Sequence, residues 1–203
     1  MLLLVDNSKI KSDNDNDAIS FTTKLKKALQ NLSIPFVLFH AWKDDPVNIP
    51  EGISRVILSG SKLVLSKEPN HPIIIKNIEI IRKFPNLPIL GICFGCQIMT
   101  QTYYNKPHTN LGEYFTKKVA IHHHSNIDLF KTWKPDAKGE KRAQFYFSDY
   151  PEHSHALNGK AIVWMNGCEI PCAWRYRKKH YGVLFHPEAL KSSHAILEQF
   201  AKL

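Results

Sequence analysis

"PILGICFGCQIM", Pro88 to Met99, runs from an apolar strand pattern into a cysteine that carries a glycine two residues to either side. The apolar run "LPILGI" breaks at Cys93, and Gly95 to Tyr103 follows with a helical pattern. A strand that passes into a helix through so short a turn lifts the turn residue above the carboxyl end of the sheet, where open α/β sheets bind their ligands. Backbone segments crowd together in such a turn, which demands glycine on both sides, here Gly91 and Gly95. The new helix aims its positive N-terminal end at the thiol. The amide of Phe94, next after the cysteine, is then placed to hold an oxyanion. From this stretch alone Cys93 reads as a nucleophile, half of a redox pair with Cys96, a metal ligand, or a small buried side chain.

The chain around it has 203 residues and 43% hydrophobic content, which suits one domain with a real core, residues 1–203. Strand and helix patterns alternate through the first half. "LLLVD", "PFVLFH" and "SRVILSG" read as buried strands before "LPILGI". Apolar positions from Ile19 to Leu32 recur at helical spacing, with Asp17 as N-cap. "NHPIIIKNIEIIRKF" starts a helix at Pro72 and sets Ile74, Ile78 and Ile81 on one face. This order predicts right-handed crossovers and an open, mostly parallel α/β sheet with helices on both faces. After Tyr114 the runs "TKKVAIH", "RAQFYF", "KAIVWMN", "PCAWRY" and "HYGVLFH" predict antiparallel or mixed strands added to that sheet. "KSSHAILEQFAKL" closes the chain as an amphipathic helix.

A cysteine that attacks an amide needs a base to activate it and to protonate the leaving amine. The base in turn needs a group to fix its tautomer and stabilise its charge. "YGVLFHPEAL" offers both: His186 ends an apolar strand, and Glu188 follows two residues later across Pro187.

The pair of segments "GICFGCQ" and "YGVLFHPE" resembles the class I (triad) glutamine amidotransferase family, with Cys93, His186 and Glu188 matching its triad. The similarity runs through nearly the whole chain, from "LLLVDN" and "VILSG" to "FAKL". "LGEYFTKK" and the Ser59-Gly60 loop are most similar to the glutaminase part of GMP synthase. The resemblance implies a flavodoxin-like fold and hydrolysis of the glutamine side-chain amide through a Cys93 thioester. It implies oxyanion N–H groups from Gly60 and Phe94, a glutamine-holding role for Gln97, no cofactor, and a separate ammonia-accepting synthase subunit. The chain departs from the family pattern at Ser61, Cys96, Leu184 and Ser148-Asp149, and "YYNKP" replaces the glycine pair that usually follows the elbow helix.

Other readings compete. Cys93 and Cys96 form the C-x-x-C of thiol oxidoreductases, although that reading leaves Gly91, His186 and Glu188 unused. A γ-glutamyl hydrolase or cysteine peptidase on the same scaffold uses the same cysteine and histidine. A non-catalytic regulatory subunit keeps the fold without the chemistry. Cys168 and Cys172 read as buried hydrophobes rather than zinc ligands. In "IHHHSN" only His122 and His124 share a strand face, so no metal is expected there. The net charge of +9 is spread without a basic helix or aromatic interleaving, and no nucleic-acid partner is expected. The five apolar residues before Asp6 are too few for a signal peptide, and no run approaches a bilayer span. A cytoplasmic protein with reduced cysteines is expected, so the glycosylation pattern at Asn31 goes unused.

Overall fold

The computed structural model describes residues 1–8, 21–105, 108–122, 127–151, 160–165 and 168–203. Five short apolar strands, β1 (Leu2–Asp6), β2 (Phe36–His40), β3 (Arg55–Leu58), β4 (Ile89–Ile92) and β9 (His180–Val183), lie parallel in the order β2-β1-β3-β4-β9. Antiparallel β8 (Cys168–Arg177) and β7 (Lys160–Met165) extend the sheet beyond β9 to seven strands. Strand order reverses between β1 and β3, the kind of switch point at which α/β sheets place their ligands.

The period-2 alternation of the strands divides the core. Leu3, Val5, Val56, Leu58 and Ile89 pack on one face with α2 (Pro72–Lys83) and the Phe94, Ile98 and Met99 side of α3 (Phe94–Tyr104). Leu2, Leu4, Ile57, Leu90 and Ile92 pack on the other with α1 (Phe21–Asn31) and α4 (His194–Ala201). Helix α1 buries Leu25, Ala28 and Leu29, an i, i+3, i+4 stripe. Helix α2 starts as its sequence demands, with Pro72 in the first turn. The His71 ring accepts from Ile73 N–H at 3.2 Å as a side-chain cap. The buried face of α2 is Ile73, Ile74, Asn77, Ile80 and Ile81, with Ile78 at its margin.

The second half corrects one expectation. Strands β5 (His108–Ile121) and β6 (Lys141–Pro151) do not join the main sheet but pair with each other as a long antiparallel ribbon. The ribbon is joined to the sheet only by isolated bridges among the described residues, Phe145 to Phe185 and His122 to Ile162. It packs through its aromatics instead: Phe115, Phe145 and Phe147 contact one another, and Phe145 reaches Phe185. Strand β9 is also shorter than "HYGVLFH", ending at Val183; Leu184 N–H still donates to Cys172 O of β8, and Phe185 and His186 run along β6. Asp17, Ile19 and His124 lie outside the described residues, as does the Cys168 side chain. No helix among the described residues is long and apolar enough to cross a membrane.

Candidate active site

Three carboxyl ends, those of β3, β4 and β9, meet at one point of the sheet. Cys93 follows β4 and caps α3 with φ of 51° and ψ of −107°, a left-handed conformation that an L-residue holds only under constraint. Its amide donates to Val183 O at 2.7 Å and its carbonyl accepts from Gln97 N–H at 3.0 Å, so the turn is fixed from both sides. The two glycines are steric necessities. A Cβ on Gly95 would stand 2.4 Å from Leu58 O, and one on Gly91 would stand 2.7 Å from Cys96 N and Gly95 C. Phe94 opens α3, and its amide lies outside the i to i−4 ladder that begins a turn later.

His186 arrives from beyond β9 and is held on all sides. Its backbone N–H donates to Gln144 O at 2.8 Å, and its ring packs edge-on against Tyr146 with centroids 5.3 Å apart. Its Nδ1–H donates to Glu188 Oε1 at 2.6 Å. Pro187 and Glu188 lie in a 3-10 turn, Pro187–Ala189, which returns the carboxylate to the imidazole after only one intervening residue. Burial disfavours the imidazolium, but Glu188 and Cys93 outweigh it and raise the His186 pKa to about 10. The carboxylate of Glu188 thus favours the protonated form of the ring. Gly60, beyond the end of β3, faces the pair so closely that a methyl there would lie 2.8 Å from His186 Cε1 and 3.7 Å from Cys93 Cβ.

Cys93 Sγ donates to Tyr146 O at 3.2 Å, at the floor of a narrow cleft. One wall is the loop Ser61 to Val64; the other is Tyr146 to Asp149 of β6, with Gln97 between them. The structure thus gathers Cys93, His186 and Gly60 at one point, keeps Glu188 on His186, and lines the cleft with Gln97. Gln97 already has a partner, since its Nε2 donates to Asp149 O at 2.6 Å.

Cys96 turns the other way. Its Sγ lies against Gly182 and 3.5 Å from Tyr176 Oη. Burial pushes its thiol well above the ordinary range. Cys93 and Cys96 are both free thiols. A redox pair needs two sulfurs that face each other and a reactive thiolate, so C-x-x-C here is a coincidence of helical spacing. Cys172 is likewise free, buried and pushed up by burial. Among the described residues no group of three His, Cys, Asp or Glu side chains is placed to hold a metal ion.

One feature of the site carries almost no mark in the sequence: a buried polar network behind the Gly60 loop. Asn7 donates its N–H to Ser59 Oγ at 3.0 Å and its Nδ2–H to Ser59 O at 2.9 Å. Asn77 Nδ2 reaches Asn7 Oδ1 at 2.7 Å, and Thr22 Oγ1 donates to Asp6 Oδ1 at 2.7 Å beside Ser59 Oγ. These residues come from the ends of β1 and β3 and from α1 and α2, and they pin the loop from beneath. Only the apolar-to-polar switch at the ends of "LLLVDN" and "VILSG" signals them.

Known proteins resemble this chain in sequence and in fold. Residues 15–203 match the family model described as glutamine amidotransferase class-I. The chain is 24% identical over 191 residues to a glutamine-hydrolyzing GMP synthase subunit of Methanococcus vannielii, covering 93% of this chain and 94% of that one. It is 32% identical over 159 residues, 74% of this chain, to the glutamine-hydrolyzing GMP synthase of Ruthia magnifica, of which the match spans 27%. In structure it superposes on a GMP synthase subunit-like protein from Thermoplasma acidophilum with a TM-score of 0.75 at 17% identity, covering 99% of this chain and 92% of the other, a likeness of fold. With its elbow, its sheet order and a family match over nearly its whole length, the chain belongs to the class I glutamine amidotransferases.

Proposed function

We propose that this chain hydrolyses the side-chain amide of glutamine and passes the ammonia to a separate synthase subunit of the GMP synthase type. The observation that carries the reading is the meeting of the strained Cys93 elbow with the buried His186–Glu188 pair and the Gly60 loop. His186 takes the Cys93 thiol proton, the thiolate attacks the amide carbon, and the carbonyl oxygen becomes an oxyanion held by the N–H groups of Gly60 and Phe94. His186 gives that proton to the leaving nitrogen, and ammonia departs. The neutral imidazole then draws a proton from water, which attacks the thioester and frees glutamate and the sulfur. Glu188 holds the ring orientation and the positive charge throughout.

The Methanococcus relative that matches end to end is named as a subunit, and the longer Ruthia relative carries the matched region as about a quarter of its length. The end-to-end match to that subunit supports residues 1–203 as one glutaminase unit. Glutamate and ammonia release from glutamine, with asparagine and a γ-glutamyl peptide beside it, tests the reading. Turnover confined to glutamine supports it; turnover of the peptide alone assigns the site to γ-glutamyl hydrolysis.

A further inference from the structure

We propose that Asp149 sets the width of the cleft over Cys93 and thereby decides which amides reach the thiol. The proposal rests on Cys93 as the reacting group, and it concerns a residue at which this chain departs from the family's serine-histidine pattern. Asp149 is 1% exposed and joins three separate segments. Its Oδ2 accepts from Ser66 N–H at 2.8 Å, which ties it to the loop that forms the opposite wall. Its Oδ1 accepts from Asn110 Nδ2 at 2.7 Å, on the partner strand of the ribbon. Its carbonyl accepts from Gln97 Nε2 at 2.6 Å, one turn along α3 from the elbow.

The two walls are Ser61 to Val64 and Tyr146 to Asp149, so the Ser66–Asp149 bond spans the cleft beside its lining. A buried carboxylate that spends both oxygens on such bonds is a tie, not a group free to hold substrate. Between the walls the cavity volume is about 10 Å³, room for about one water molecule. At that spacing a small outward movement admits an unbranched carboxamide, whereas a group carried on the amide nitrogen needs the walls to part. The ribbon is packed on the core through Phe115, Phe145 and Phe147, whereas its edge beside the cleft is held to the opposite wall by the Ser66–Asp149 bond, and this tie governs how far that edge moves. Asp149 is thus a positioning residue for selectivity: it keeps the site for primary amides and against substituted ones.

The test measures width without needing turnover. Cys93 alkylation is followed by mass spectrometry with iodoacetamide and with N-phenyl iodoacetamide, in wild type, Asp149→Ala, Asp149→Asn and Asn110→Ala. The ratio of the small to the bulky reagent's rate falls about tenfold in Asp149→Ala and part of the way in Asn110→Ala. It stays near the wild-type value in Asp149→Asn, whose amide oxygen still meets Ser66 N–H while the Asn110 amide turns to present its own oxygen. With glutamine against γ-glutamyl methylamide, the ratio of kcat/KM shifts in the same direction. An unchanged alkylation ratio in both Asp149→Ala and Asn110→Ala overturns the proposal. Wild-type protein that discriminates the two reagents but never releases glutamate would refute the glutaminase reading and leave the width-setting role standing.

Discussion

His186 Nδ1–H and Glu188 Oε1 stand 2.6 Å apart with both side chains 1% exposed, and this bond holds in place the imidazole whose proton the proposed chemistry delivers to the leaving nitrogen. Burial works against the charge on His186; Glu188 and Cys93 overcome it. Glu188→Gln keeps the shape and removes the counter-charge. The His186 pKa then falls, because burial is left less opposed. The expected outcome is a kcat lower by about 10²–10⁴-fold and an alkaline limb of the pH–rate profile displaced to lower pH. A profile of unchanged shape would remove Glu188 from the proton's control.

The same shift makes a prediction about stability. His186 has a folded pKa of about 10, above its ordinary 6.5, so the folded state binds the proton more tightly than the unfolded chain does. Its contribution is fully present below about pH 6.5 and is lost as pH rises through about 10. Denaturant unfolding from pH 6 to about pH 10.5 should show wild type losing more stability than His186→Gln. Parallel curves would mean that the proton on His186 does not stabilise the fold.

Gly60→Ala tests the contact between the Gly60 loop and the histidine. The new methyl group would lie 2.8 Å from His186 Cε1, so the imidazole must move or the loop must retreat. A displacement of this order at a reacting group costs about 10²-fold in kcat. The unfolding midpoint should fall less than in Gly95→Ala, because a ring yields more easily than backbone does. Full activity in this variant would place the working oxyanion donor elsewhere.

Gly95→Ala fails differently. Its Cβ meets Leu58 backbone at 2.4 Å, and backbone in the middle of a parallel sheet does not yield. We expect a loss of about 1–3 kcal/mol or more in unfolding free energy, with lost activity following from the fold. A stable, inactive Gly95→Ala protein would contradict the close packing of helix on strand at the elbow.

The parts of this molecule that are legible in the sequence are those whose cause is local. "LPILGICFG" carries its own strand, its own turn and the glycines the turn needs, and φ of 51° at Cys93 is the strain that such a turn imposes. His71-Pro72 and the isoleucines behind it determine α2 through one helical face. Partners distant in the chain stay hidden. The alternation in "RAQFYF" marks a strand but not its neighbour, and β6 pairs with β5 across the ribbon rather than with the sheet. Asn7, Thr22, Ser59 and Asn77 are ordinary polar residues until the fold stacks them beneath the Gly60 loop. Asp149 stands out as a departure from the family pattern, but the donor it meets, the Ser66 amide, is 83 positions away.

Release of glutamate from glutamine by the purified protein, measured beside Cys93→Ala, tests the central claim most directly. Turnover by the wild-type chain that drops by at least about 10³-fold in the variant is the predicted result, since the thioester route has no other nucleophile. Glutamate release that survives loss of the Cys93 sulfur, or a wild-type rate no higher than that of Cys93→Ala, would contradict it.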